Sequence, residues 1–182
     1  GNAEFVSVPI PEPKRGEIRA RVVRNGLCGT DLAIYTGECS FVRDGQIVYP
    51  TRIGHEWSGV VDKVGEGVLG FREGDRVIAD NAVSCGACGA CREGRYENCM
   101  DIRSVGTVNC WPGSFAEYML IPERHMYHIP DSISFDNAAL LEPLSIAYGA
   151  FRGKAPDTVV VIGTGPIGLS AVALARTYGA RE

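Results

Sequence analysis

The chain predicts a mixed α/β fold: a β-rich domain carrying a tight cysteine loop, then a strand–glycine–helix unit that opens a second domain. Three observations predict it. Short apolar stretches separated by Gly and Pro turns run from Ile18 to Ile121. Cys85, Cys88, Cys91 and Cys99 are spaced C-x2-C-x2-C-x7-C. The unbroken apolar run Val159–Ile162 leads directly into Gly163-Thr164-Gly165-Pro166-Ile167-Gly168.

In order, Pro9 to Pro13 reads as an extended lead-in. Ile18, Ala20 and Val22 alternate with Glu17, Arg19, Arg21 and Arg24, the period of a half-buried strand. Asn25-Gly26 turns the chain toward Cys28, and Asp31 is the candidate cap of a short helix through Leu32, Ile34 and Tyr35. Val60, Val61 and Val64 form the next strand, and Arg76–Ala79 another, reached through Gly74-Asp75. Phe115 to Ile121 is a further strand, closed by Pro122. A helix starts around Ser134–Asn137. Val159–Ile162 has the look of a strand buried on both faces. The helix after it runs to Tyr178 and stops at Gly179. Residues 1–150 are assigned to the β-rich domain, with the cysteine lobe at 84–100, and 151–182 to the incomplete second domain.

Composition narrows the function classes. The chain has 182 residues, 45% hydrophobic and 22% charged, which supports a packed core. A net charge of −4 argues against a nucleic-acid partner. No apolar run reaches the ~20 residues of a membrane span, and the first residues lack the pattern of a signal peptide. The seven cysteines are odd in number and mostly clustered, which suits a reducing cytoplasm and thiolates on metal rather than a disulfide framework. Cys39 and Cys110 read as buried free thiols.

Four thiolates at the lobe's spacing make a closed tetrahedral zinc site, structural because no position is open. An iron–sulfur cluster or paired disulfides are the alternatives, and the spacing departs from the bacterial C-x2-C-x2-C-x3-C-P run. His55-Glu56 supplies an imidazole and a carboxylate, both good ligands of a divalent metal. The glycine run follows an apolar strand and opens a helix. That is the setting in which Gly163, Gly165, Pro166, Ile167 and Gly168 cradle a dinucleotide pyrophosphate.

Cys28-Gly29-Thr30-Asp31, the motif Gly54-His55-Glu56-x-x-Gly59-x5-Gly65-x-x-Val68, Gly74-Asp75-Arg76-Val77, the four-cysteine lobe and the glycine fingerprint occur in that order. Together they resemble the zinc-containing medium-chain alcohol dehydrogenases. Leu141-Glu142-Pro143-Leu144-Ser145 points to the polyol and sugar branch, with sorbitol, threonine and glucose dehydrogenases. The resemblance implies a GroES-like catalytic domain followed by a Rossmann domain, here cut short. It implies two zincs, one catalytic on Cys28, His55 and Glu56 and one structural, with NAD or NADP as hydride acceptor. The substrate would be a secondary alcohol of a small polyol, sugar or related hydroxy compound. The catalytic metal would lower the pKa of its hydroxyl.

Thr30 matches the hydroxyl that passes the alcohol proton onward. Ala33 stands where many relatives carry a relay histidine. His125 and His128 read instead as flanking a surface segment. Glu142 is expected near the metal but outside its permanent ligands, or exchanging in as substrate leaves, because Cys28 and Glu56 already neutralise the ion. Trp57 and Tyr35 line the substrate cleft or simply pack, and Thr36, Gly37 and Glu38 fall in a loop open to substrate. Relatives are dimers or tetramers, which implies a homo-oligomer. The acidic residue that separates NAD from NADP is expected roughly 20 residues past the fingerprint, beyond Glu182. The chain by itself is expected to bind cofactor poorly. The alternative is a non-catalytic, zinc-stabilised GroES-like interaction module; a zinc-ribbon nucleic-acid binder is disfavoured by the acidic charge.

Overall fold

In the computed structural model, which describes residues 1–154 and 156–181, the alternation at Ile18–Val22 becomes strand β1, Glu17–Asn25. Ile18 and Ala20 are fully buried. Helix α1 is Gly29–Thr36 and α2 is Ser40–Arg43; β2 is Trp57–Val64 and β3 is Arg76–Ala79. The short strands β4, Ala82–Val83, and β5, Arg103–Ser104, bracket the cysteine lobe and its helix α3, Gly89–Arg92. Then come β6, Tyr118–Pro122, β7, Met126–His128, and α4, Phe135–Ala139.

The five longer strands form one antiparallel sheet in the order β6-β1-β2-β3-β7, and β4 and β5 pair separately. Pro122 sits on the edge strand β6 opposite Glu17, where a missing N–H costs nothing to the rest of the ladder. One face of this sheet carries the core: Ile18, Ala20, Trp57, Val61, Val77, Met119, Ile121 and Met126, with Val83 and Val105 joining from the lobe side. Each fully buried aliphatic here is worth about 1.5–3 kcal/mol. Trp57 thus packs in the core and does not line a cleft.

β6 begins at Tyr118 rather than Phe115, because the backbone before it is committed elsewhere. Ser114 N–H donates to Gly54 O at 2.9 Å and Phe115 N–H to Ile53 O at 3.1 Å. Cys39 and Cys110 are half-buried, not closed off in the core.

The chain divides into two compact units, Gly1–Ala139 and Leu140–Glu182. In the second, α5, Leu141–Phe151, packs on α6, Pro166–Thr177, and Phe151 stacks on Tyr178 with ring centroids 5.8 Å apart. The sequence predicts a buried strand at Val159–Ile162, and the structure has none. Val160 is 82% and Ile162 97% exposed. A strand exists only beside another, and among the described residues no strand pairs with this run. No helix is long and apolar enough to cross a membrane among the described residues.

Candidate metal centres

The β1–β2 register brings distant residues together. Asn25, the last residue of β1, pairs with Trp57, the first of β2. Gly26 N–H then donates to Glu56 O at 2.6 Å, which extends the ladder one step past both strands. Cys28 follows on one side and His55 precedes on the other. The candidate donor atoms of Cys28, His55 and Glu56 all lie within 4.8 Å of one another. His55 and Glu56 are buried and Cys28 is half-buried.

Asp31 does more than the sequence suggests. Cys28, not Asp31, is the N-cap of α1; Asp31 is the third helical residue and reaches back to accept the Cys28 N–H at 2.9 Å. Its other oxygen accepts the Gly54 N–H at 3.0 Å. That oxygen also lies 3.6 Å from His55 Nδ1, an ion-pair contact rather than a hydrogen bond. Nδ1 has no hydrogen-bond partner. Asp31, 1% exposed, therefore ties together the two segments that carry the three donors.

Electrostatics follow from this burial. Desolvation pulls the His55 pKa down, but Asp31 and Cys28 outweigh it and hold the ring up at about 9. Burial pushes the Asp31 carboxyl up, and His55 with the Cys28 and Gly54 N–H groups brings it below its ordinary value. His55 charge thus stabilises the metal-free fold fully below 6.5, and this contribution is lost as pH rises through about 9. Urea unfolding of the metal-free protein should show it: the stability gap between the parent and His55→Gln narrows across that interval. A constant gap would contradict the assignment.

Beside Cys28 opens an apolar cleft of about 340 Å³ lined by Leu27, Leu32, Tyr35 and Ile53. Tyr35 lines this cleft. Thr30 is in the first turn of α1, two residues past Cys28. Glu142 lies in the first turn of α5, in the second unit.

The lobe cysteines also converge. Cys88 Sγ is 3.5 Å and Cys85 Sγ 3.9 Å from Cys91 Sγ. Zinc–sulfur bonds of about 2.3 Å put the sulfurs of a tetrahedral site roughly 3.8 Å apart, whereas a disulfide needs about 2.05 Å. The donor set fits zinc, and all four cysteines are free. Backbone N–H groups of Ala87 and Cys88 donate to Cys85 Sγ, each at 3.4 Å, and the Cys85 N–H to Cys99 Sγ at 3.2 Å. Donors from Cys91 and Met100 bring the Cys88 thiol down to about 6. Cys99, despite the Cys85 N–H it accepts, is pushed up to about 11 by burial and by its sulfur neighbours. A divalent cation would relieve that crowding of thiolates.

His125 is not on a surface segment: it is 1% exposed. Its Nε2 accepts the Ser84 N–H at 3.0 Å and lies 2.8 Å from Ser84 Oγ, while Nδ1 is 3.6 Å from Asp80. The Ser84–His125–Asp80 order resembles a nucleophilic triad, but Ser84 is 2% exposed and Arg124 grips both its hydroxyl and its carbonyl. The cluster anchors the lobe at the residue before Cys85. His128 is exposed and stacks on Phe71 at 4.2 Å.

In the second unit, Gly163 has φ 104°. A Cβ on Gly168 would lie 2.1 Å from Gly163 O, so the turn into α6 closes only with glycine there. Gly165 is the N-cap of α6, with Pro166 and Ile167 in its first turn.

Residues 14–131 match the family described as "Alcohol dehydrogenase GroES-like domain". The chain belongs to that family. Its GroES-like domain is the one the motifs resemble, that of the zinc-containing medium-chain dehydrogenases. The chain is 38% identical over 179 residues to sorbitol dehydrogenase of Bacillus subtilis, covering 96% of this chain and 49% of that protein. It is 43% identical over 177 residues to an L-threonine 3-dehydrogenase of an Anaeromyxobacter strain, covering 96% and 50%. Among solved structures, a Sinorhizobium meliloti protein described as a zinc-binding dehydrogenase and bound to NADP superposes with a TM-score of 0.81 at 35% identity, covering 96% of this chain and 49% of that one. The GroES-like chain therefore spans about half the length of the curated relatives it matches.

Proposed function

We propose that this chain is the metal-binding part of a zinc-dependent oxidoreductase that passes a hydride from a secondary alcohol of a polyol, sugar or related hydroxy compound to NAD or NADP. The observation that carries the reading is the convergence of Cys28, His55 and Glu56 beside an open cleft. Three protein donors and a vacant fourth position are what a catalytic zinc requires, and four cysteines without one suit a structural zinc. Zinc at the first site would supply Lewis-acid polarisation of the alcohol oxygen. The named activities of the relatives support an alcohol or sugar substrate, and the NADP-bound neighbour supports a nicotinamide acceptor.

The chain's own residues divide the remaining work. Asp31 faces the His55 ring and fixes the Gly54 turn that presents it. Cys28 and Glu56 together cancel two positive charges, so a third anionic ligand would weaken the centre; Glu142 stays outside it. Thr30 accepts the alcohol proton and hands it on, with water in place of a side chain at Ala33. Gly163, Gly165, Pro166, Ile167 and Gly168 present the N-terminus of α6 to the cofactor pyrophosphate. Residues 1–150 act as the catalytic domain and 151–182 begin the nucleotide-binding one. The assembly is a cytoplasmic dimer or tetramer.

Metal analysis of the chain tests the first half: two zincs are expected, falling to one in Cys28→Ser. The second half is tested by oxidation of polyols, sugar alcohols and L-threonine with NAD and with NADP, in a chain carrying the complete nucleotide-binding domain. Zinc-loaded protein inert toward every alcohol with both cofactors would overturn the activity.

A further inference from the structure

The exit of β1 sets the Glu56 carboxylate. A Cβ on Gly26 would lie 2.3 Å from Glu56 Oε2 and 3.0 Å from Glu56 Cβ. Gly26 is not among the residues with positive φ, so the site demands its lack of a side chain and not its backbone freedom. Its N–H holds the Glu56 carbonyl at 2.6 Å. Asn25 Nδ2 donates to Gly26 O at 3.1 Å. Asn25 Oδ1 accepts the hydroxyl of Ser114, which is 1% exposed. Ser114 N–H donates to Gly54 O at 2.9 Å. These bonds form a closed polar ring: from Gly54, next to His55, through Ser114 and Asn25 to Gly26, and back to Glu56. None of Asn25, Gly26 and Ser114 belongs to the donor set.

Resting on the reading of Cys28, His55 and Glu56 as one metal site, we propose that Asn25, Gly26 and Ser114 are positioning residues that hold the Glu56 carboxylate on the shared point before an ion arrives. Gly26 leaves the space, Asn25 fixes Gly26, and Ser114 locks Asn25 to the turn that carries His55. Outer partners of this kind govern metal affinity by about 10- to 100-fold.

The test is cobalt(II) titration of the metal-free chain. The visible spectrum separates a site with one thiolate from one with four. Gly26→Ala, Ser114→Ala and Asn25→Ala should each weaken cobalt uptake at the one-thiolate site by about 10- to 100-fold, with uptake at the lobe and the circular dichroism spectrum unchanged. Glu56→Gln added to Gly26→Ala should cost little more, because the carboxylate is already displaced, whereas the same change in the parent costs the full effect. Ser114→Ala and Asn25→Ala combined should lose no more than either alone. Parent-like cobalt affinity in all three single variants would overturn the proposal. A parent that takes up cobalt at the lobe only would instead overturn the metal-site reading beneath it. Should Gly26→Ala also lose the lobe, the two variants at Ser114 and Asn25 decide the matter.

Discussion

Asp31→Ala should destabilise the metal-free domain by about 3–5 kcal/mol, as measured by urea unfolding. The size follows from what the carboxylate satisfies. The Cys28 and Gly54 N–H groups both point at it, at 2.9 and 3.0 Å, and His55 Nδ1 faces it at 3.6 Å. Asp31 is 1% exposed, so no water replaces it without rearrangement. Each buried N–H left without an acceptor costs about 1–3 kcal/mol, and the imidazole loses the charge that keeps it protonated. Asp31→Asn separates these contributions. Its one side-chain oxygen retains a single acceptor, so it should lose less stability than alanine. Both variants should lose metal at Cys28, His55 and Glu56 while keeping it at the lobe. An Asp31→Ala protein within about 1 kcal/mol of the parent would mean that the helix start and the Gly54 turn do not depend on this carboxylate.

The second large effect belongs to the lobe. Cys91→Ala should remove one zinc per chain and unfold residues 84–100, while the five-stranded sheet persists. Structural zinc contributes on the order of 10–16 kcal/mol to small thiolate domains, and no aliphatic or aromatic side chain of the lobe is buried to substitute for it: besides Ser84, the buried residues are Cys91 at 6% and Cys99 at 7% exposure. Hydrogen exchange should show protection lost through the lobe and across the β4–β5 pair but kept in β1 and β2. Limited proteolysis should cut first around Arg92 and Arg95. Unchanged zinc content, or a sheet that melts together with the lobe, would contradict this division.

How far the sequence could be read depends on the range of the interaction involved. Period-two alternation at Ile18–Val22 is local, and β1 forms there. The cysteine spacing is local too, and the sulfurs do converge. The donors Cys28, His55 and Glu56 were legible as chemistry, yet their meeting depends on the Asn25–Trp57 pairing, which no single stretch encodes. Asp31 shows the same limit: its place after Cys28 marks a helix start, while its bond to Gly54 N–H spans 23 residues. His125 lies among charged and polar neighbours and so reads as exposed; it is buried because Ser84 and Asp80 come from the end of β3 and the start of the lobe. The apolar run Val159–Ile162 signals a need for cover but not its source, and among the described residues Val159 and Val161 are only half-buried while Val160 and Ile162 are exposed.

The adjoining ends of β1 and β2 deliver all three donors, so the centre inherits the alignment of the sheet. Shifting the pairing by one residue would turn Ile18, Ala20 and Val61 outward together with the donors, so core and centre stand or fall on one alignment. The stretch from Gly37 to Arg52 carries none of the donors, yet it is tied into the same framework: Ile47 is 3% exposed, and Arg52 O accepts the Gly113 N–H at 2.9 Å, one residue before the Ser114 N–H that holds Gly54. A change of length in that loop would therefore be felt at the turn that presents His55.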